Sequence, residues 1–113
     1  MPDDCLFCRI VRREIPADVV AETETALAFR DVNPQAALHV LVVPRAHFAN
    51  AADLAAADPE TAAELLTVAR QVAADAGHDS YRLVSNTGVE AGQSVFHAHV
   101  HVLAGRTMAW PPG

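Results

Sequence analysis

The chain lacks a basic run. Among its 113 residues the longest is the pair Arg12-Arg13, and the formal net charge is −6. Broad nucleic-acid binding is thereby excluded, although a small phosphate ester remains acceptable if its charge is handled locally. Long apolar runs are missing too. The longest are strand-sized, so no membrane span is expected. The N-terminus opens on acidic residues without an apolar leader, which predicts no export. There are only two cysteines, both near the N-terminus. Two do not make a disulfide framework, and a reducing cytoplasmic setting is expected. The usual phosphate machinery is also missing: there is no Walker-type loop and no carboxylate cluster suited to Mg²⁺. Any phosphate chemistry would fall to imidazoles and amides. Internal repeats, low-complexity tracts and linkers are absent.

What is present is globular. Hydrophobic residues make up 51% and charged residues 19%, outside the range of disordered chains. The length suits one domain over residues 1–113 with a modest, alanine-rich core, which oligomerisation would help to bury. Asp3 or Asp4 can cap a short helix from about Cys5 to Arg13, ended by Ile15-Pro16-Ala17. Val19–Glu22 and Ala26–Asp31 read as strands around a Thr23-Glu24-Thr25 turn. Leu38–Val43 reads as a central strand whose ladder Pro44 stops. Arg45–Ala57 has room for a short helical turn. Asp58-Pro59-Glu60 opens a long helix with a capping carboxylate and a first-turn proline, and Gly77 ends it. Tyr81–Asn86 and the histidine-rich segment after Gly92 supply two more strands. The order is α+β, and hairpin-length links imply an antiparallel sheet.

The segment His97-Ala98-His99-Val100-His101-Val102-Leu103 carries the strongest signal. Alternation at period two predicts a half-buried strand with His97, His99 and His101 on one face. Same-face residues sit about 6.7 Å apart, so the three span roughly 13 Å, too far to share one metal ion. A neutral imidazole attacks phosphorus well, provided its other nitrogen donates to a fixed acceptor. A central histidine flanked by two others suits this, one to orient and one to carry a proton or bind phosphoryl oxygens. The preceding loop, Thr87 to Ser94, has glycines at which a backbone could approach a phosphate, and Ser94 adds a hydroxyl.

Other residues read more openly. His39, alone in its strand, is a packing residue unless that strand lies beside the triple-histidine segment. Asp31 is either a solvated turn residue or a carboxylate for both ribose hydroxyls. Cys5-Leu6-Phe7-Cys8 is a C-x-x-C with no strand before it, which argues against a redox motif. His47 and His97 could complete a zinc site, and two inert thiols are the alternative.

With these residues in view, the chain resembles the histidine-triad (HIT) family. His97 to Leu103 is similar to the family's His-φ-His-φ-His-φ-φ signature. Leu6-Phe7, Arg13-Glu14-Ile15-Pro16-Ala17, Phe29 with Asp31, Asn33-Pro34-Gln35-Ala36 and Gly92-Gln93-Ser94-Val95 look like further landmarks. The tail, Gly105-Arg106 with Met108 and Trp110-Pro111-Pro112-Gly113, resembles the Hint branch. The resemblance implies a HIT fold: a five-stranded antiparallel sheet with one long and one short helix, two such sheets joining across a homodimer. It implies purine nucleoside 5′-phosphoramidate hydrolysis through a nucleotidyl-histidine intermediate, on an AMP-type substrate. His99 would be the nucleophile, flanked by His101 and His39 and supported by His97. Asn86, Gly92, Gln93 and Ser94 would hold the phosphate, and Asp31 the ribose. Leu6, Phe7, Ile10, Phe29, Val32 and Leu41 would enclose the base. Trp110 would reach the neighbouring protomer's site. No cofactor is implied for the chemistry. Relatives with a structural zinc imply Cys5, Cys8, His47 and His97 as its ligands.

Three other functions compete, one of them a metal-binding protein built on Cys5, Cys8 and histidines. A dinucleoside polyphosphate hydrolase of the same fold needs room for a second nucleotide. A nucleotide-binding scaffold would keep the site while hydrolysing only incidentally.

Overall fold

The computed structural model describes residues 4–113. One five-stranded sheet runs β1 (Val19–Glu22), β2 (Ala26–Arg30), β3 (Leu38–Pro44), β5 (Val100–Ala104), β4 (Arg82–Val84) across its width. Every neighbouring pair is antiparallel. β3 is central, as its β-branched run predicts, and is buried along its whole length.

Helix α3 (Pro59–Asp75) covers one face. Asp58 caps it, its carboxylate accepting from the Thr61 amide, and Pro59 stands where no N–H is needed. Leu65, Val68, Ala69, Val72 and Ala73 pack against Ala28, Val40, Val42, Val100 and Val102. Each such Leu or Val contributes about 1.5–3 kcal/mol by leaving water. The helix ends as Gly77 predicts: at φ +83 it lets the His78 amide reach Ala73 O and its own amide reach Ala74 O, a Schellman closure.

The opposite face carries α1 (Leu6–Val11), whose Phe7 and Cys8 pack with Leu27, Phe29, Leu41 and Val43. Here the structure corrects the expected cap. Asp3 lies outside the described residues. The α1 cap is Cys5, whose sulfur accepts from the Cys8 amide at 3.3 Å. The helix also stops before Arg13, which turns into the left-handed region at φ +62. The stretch expected to hold a helical turn forms a second short helix, α2 (Ala51–Ala57), capped by Asn50. Among the described residues there are thus one long α-helix and two short ones.

The histidine-rich strand is shorter than its alternation suggests. The ladder between β3 and β5 runs only from Leu38–Ala104 to Val42–Val100. Continuing the register would set Ala98 against Pro44, which has no N–H to offer. The Ala98 amide instead bonds Phe48 O at 2.7 Å. His97 and His99 thus precede the strand, yet keep its facing: Ala98, Val100 and Val102 enter the α3-side core, and the histidine rings line the other side. No helix among the described residues is long and apolar enough to cross a membrane.

Candidate active site

Three histidine rings form a row. The ring centroids of His39 and His101 are 5.2 Å apart, and those of His101 and His99 are 5.0 Å apart. Pairing of β3 with β5 puts His39 there, so the condition on its functional reading is met. At the other end His97 stacks edge-on against His47 at 5.1 Å.

Hydrogen bonds assign the proton on each ring. His99 Nδ1 lies 2.7 Å from His97 O, a pure acceptor, so Nδ1 holds the proton and donates it. Its Nε2 is left with a lone pair and no protein partner among the described residues. The Gln35 amide donates to His39 Nδ1 at 3.0 Å, so His39 carries its proton on Nε2. That proton points at His101 Nδ1, 2.9 Å away, with Asp31 Oδ2 at 3.4 Å. His101 must then present an Nε2–H outward. The row reads acceptor at His99, donor at His101, fixed in that sense by a backbone amide.

Burial favours the neutral forms of His101 and His39. It pushes His101 down to about 4, helped by the neighbouring rings His99 and His39 and opposed by Asp31. Burial also lowers His39, again against Asp31.

Beside the row lies a cleft of about 630 Å³ whose walls include Leu6, Phe7, Ile10, Phe29, Val32 and Leu41. All six residues expected around a base are thus brought together, with Asp31 and Ser94 at the same cleft. Asp31 Oδ1 accepts from the Asn33 amide, which fixes the carboxylate at a turn.

In the loop expected to hold phosphate, several polar groups bond within the protein. Gln93 is buried, and its carboxamide is fully engaged: Oε1 accepts from the Gly88 amide, and Nε2 donates to Ala49 O and Val95 O. The Gly92 and Gln93 amides bond Val89 O and Gly88 O. These groups close the loop and are not free for a ligand. Ser94, and Asn86 packed beside Gly92, remain open to one. Trp110 is 83% exposed.

Two residues hold the centre: Ser85, which the sequence does not mark, and Phe7, which it marks only for the base pocket. Ser85 Oγ donates to His99 O at 2.8 Å. Phe7 meets the His97 and His99 rings edge-on, at 5.9 and 5.2 Å. No periodicity signals Ser85, which stands just past the end of β4.

Cys5, Cys8, His47 and His97 also converge. Their ligand atoms all lie within 4.8 Å of one another. His97 Nδ1 lies 3.4 Å from each sulfur and 3.2 Å from His47 Nδ1, and Cys8 Sγ lies 3.3 Å from His47 Nδ1. Edges of a tetrahedral S₂N₂ zinc site are about 3.3–3.8 Å from its bond lengths. His97 Nε2 donates to Pro44 O, which leaves Nδ1 as the ligand nitrogen, as an outer-shell bond should. The donor set and geometry fit a metal. Burial holds His97 neutral, its pKa lowered to about 4, and raises the Cys8 thiol to about 11, with Cys5 adding to the rise.

The chain matches the model of the HIT domain over residues 12–108. It is 51% identical to an uncharacterized HIT-like protein of Synechocystis, with all of both chains aligned. Among solved structures, a HIT family hydrolase from Legionella pneumophila superposes with TM-score 0.93 at 46% identity, covering 97% of this chain and 100% of that one. A HIT family hydrolase from Clostridium thermocellum gives TM-score 0.92 at 39% identity, covering 96% of each. With the histidine row standing where the sequence signature implies, this chain belongs to the HIT family.

Proposed function

We propose that this protein hydrolyses the phosphorus–nitrogen bond of purine nucleoside 5′-phosphoramidates through a nucleotidyl-His99 intermediate. The observation that carries the reading is the fixed tautomer of His99: Nδ1 is committed to His97 O, and Nε2 is bare beside a nucleoside-sized apolar cleft. The base lies in that cleft, and Asp31 takes the ribose hydroxyls. Ser94, Asn86 and the His101 Nε2–H hold the phosphate oxygens.

Nε2 of His99 attacks phosphorus as the phosphorus–nitrogen bond breaks. The departing amine takes one proton through the Ser94 hydroxyl, which regains one from water. Positive charge develops on the His99 ring, and its bond to His97 O strengthens accordingly. Water then adds its oxygen to phosphorus, the bond to Nε2 breaks, and one proton is released. The nucleotide leaves and the histidine is restored. His101 and His39 remain neutral donors throughout.

Cys5, Cys8, His47 and His97 would hold a structural zinc, which supplies no step but ties α1 to the segment before β5. The chain acts as a homodimer, with Trp110 at the neighbouring site.

The test is turnover of adenosine 5′-phosphoramidate by the wild type and His99→Ala, with intact mass after a rapid acid-free quench. The wild type should release AMP and show an AMP-sized adduct, and the variant should lose about a thousandfold or more. Metal analysis and light scattering on the same preparation should give stoichiometric zinc and a dimer. Tight AMP binding without turnover would reject hydrolysis and favour a nucleotide-binding role.

A further inference from the structure

The tail beyond β5 leans on the turn that joins β2 to β3. Gly105, at φ +96, brings it there, and a Cβ on Gly105 would stand 2.6 Å from the Ala37 Cβ. The next residue, Arg106, donates from Nε to Gln35 O at 2.9 Å and from Nη1 to Thr107 O at 3.2 Å. Its guanidinium is thus held against both its own tail and the turn. That turn frames the site. Asp31 Oδ1 accepts from the Asn33 amide at 2.8 Å, Gln35 Nε2 donates to Asn33 O at 3.0 Å, and the Gln35 amide donates to His39 Nδ1. All three bonds lie inside residues 31–39. Among the described residues, the Arg106 bond is the one hydrogen bond that ties residues 32–36 to the chain outside that turn. Residues 32–35 are exposed, so little burial fixes them.

We propose that Arg106 is a positioning residue for the histidine row: its hold on the Gln35 carbonyl sets the Gln35 amide against His39 Nδ1, and with it the direction of the imidazole hydrogen bonds. The sequence of bonds gives the reason. While the amide donates to Nδ1, His39 carries its proton on Nε2, gives it to His101 Nδ1 2.9 Å away, and leaves His101 with an Nε2–H. With the amide withdrawn, His39 can place its proton on Nδ1 and face His101 with a lone pair. His101 then donates from Nδ1 and turns a bare Nε2 outward, an acceptor where a phosphoryl oxygen needs a donor. Asp31 Oδ2, 3.4 Å from His39 Nε2, favours the first arrangement. Loss of Arg106 therefore shifts the population between the two and does not empty the first. A guanidinium suits the task because its donors are planar and fixed in direction, so one group can hold carbonyls of two segments at once. The tautomers follow from the geometry alone; their effect on turnover rests on the phosphoramidase reading.

The experiment reads the tautomers directly, by NMR of the imidazole nitrogens in neutral buffer, in the wild type, Arg106→Met, Arg106→Lys and Arg82→Met. Arg82 holds the same tail by donating to Ala109 O at 2.9 Å. Among the described residues it forms no hydrogen bond to the turn, so it controls for a loosened tail. In the wild type His39 and His101 should both be protonated on Nε2. Arg106→Met should move both rings towards the Nδ1–H form. Arg106→Lys, which keeps a donor of similar reach, should restore most of the wild-type pattern, and Arg82→Met should match the wild type. With adenosine 5′-phosphoramidate, Arg106→Met should lose about tenfold in kcat with KM held within about twofold, part of the worth of one oxyanion donor. Wild-type tautomers in Arg106→Met, or the same shift in Arg82→Met, would overturn the positioning role. A wild type that turns over no phosphoramidate would reject the phosphoramidase reading instead, and the tautomers of the variants would then decide the role of Arg106 by themselves.

Discussion

At the scale of single residues, chemistry here depends on where protons are fixed. In the proposed reaction, His99 is useful because one ring nitrogen is committed to His97 O. Its main-chain carbonyl is committed as well, to Ser85. His99 precedes β5 and Ser85 follows β4, so the hydroxyl stands in for a ladder bond that the strands no longer make. In the proposed reaction Ser85 would act as a positioning residue. Ser85→Ala should lower kcat about three- to tenfold, the worth of one net hydrogen bond, with KM held within about twofold. Ser85→Thr should recover most of the loss. A matched fall in both parameters, or no rescue by threonine, would assign Ser85 to general folding instead. The sequence shows which histidines alternate but not which atoms they bond. Gln93 illustrates the limit. A loop glutamine beside a serine expected to bind phosphate reads as a ligand, and only the packed structure reveals three bonds to its own loop and to Ala49.

At the scale of elements, most of the fold was legible. Asp58-Pro59 and Gly77 bound α3 as cap chemistry requires, and the β-branched run made β3 central. What the sequence hid were ends decided by partners elsewhere. Pro44 shortened β5 from across the sheet, and a sulfur in place of a carboxylate capped α1. The gathering of Cys5, Cys8, His47 and His97 was suggested by spacing but needed three separate elements to meet. Glycines at element ends give a clean test. Gly77 and Gly105 both have positive φ, +83 and +96. A Cβ on Gly77 meets nothing within 4 Å, whereas one on Gly105 would stand 2.6 Å from the Ala37 Cβ. Gly77→Ala should therefore cost about 1 kcal/mol, from backbone strain alone. Gly105→Ala should cost about 2 kcal/mol or more, because the overlap adds to the strain. Urea unfolding of both variants measures the difference. Equal costs would mean that the Ala37 turn yields freely.

At the scale of the whole molecule, burying the His101 and His39 imidazoles couples folding to pH. His101 titrates near 4 in the folded protein against its ordinary 6.5, chiefly through burial. Above about pH 6.5 the ring is neutral in both states and contributes no pH dependence. Between 6.5 and 4 the unfolded chain binds a proton that the folded chain refuses, so stability falls as pH falls. Below 4 both states bind it and the loss levels off. A tenfold difference in proton affinity between the two states is worth about 1.4 kcal/mol. With solvent screening of this half-buried ring, roughly 2 kcal/mol is lost at His101 across the window. His39, lowered in the same direction, adds to the slope. Carboxylates respond lower. Glu14, Glu22 and Asp58 are held below their ordinary values by Arg12, by Arg45 with Arg13, and by Thr61, and their contribution is lost only as pH drops below about 4.5. The two windows are separable. Urea midpoints recorded from pH 7.5 to 4 should decline most between 6.5 and 4.5, and His101→Gln should flatten that decline while leaving the acid limb in place. Imidazole proton shifts followed by NMR should keep His101 neutral to below pH 5. A His101 titration near 6.5, or an unaltered slope in His101→Gln, would mean that the ring sees water despite its packing against His39 and His99, and the donor role given to its Nε2–H would then need a protonated imidazole rather than a fixed tautomer.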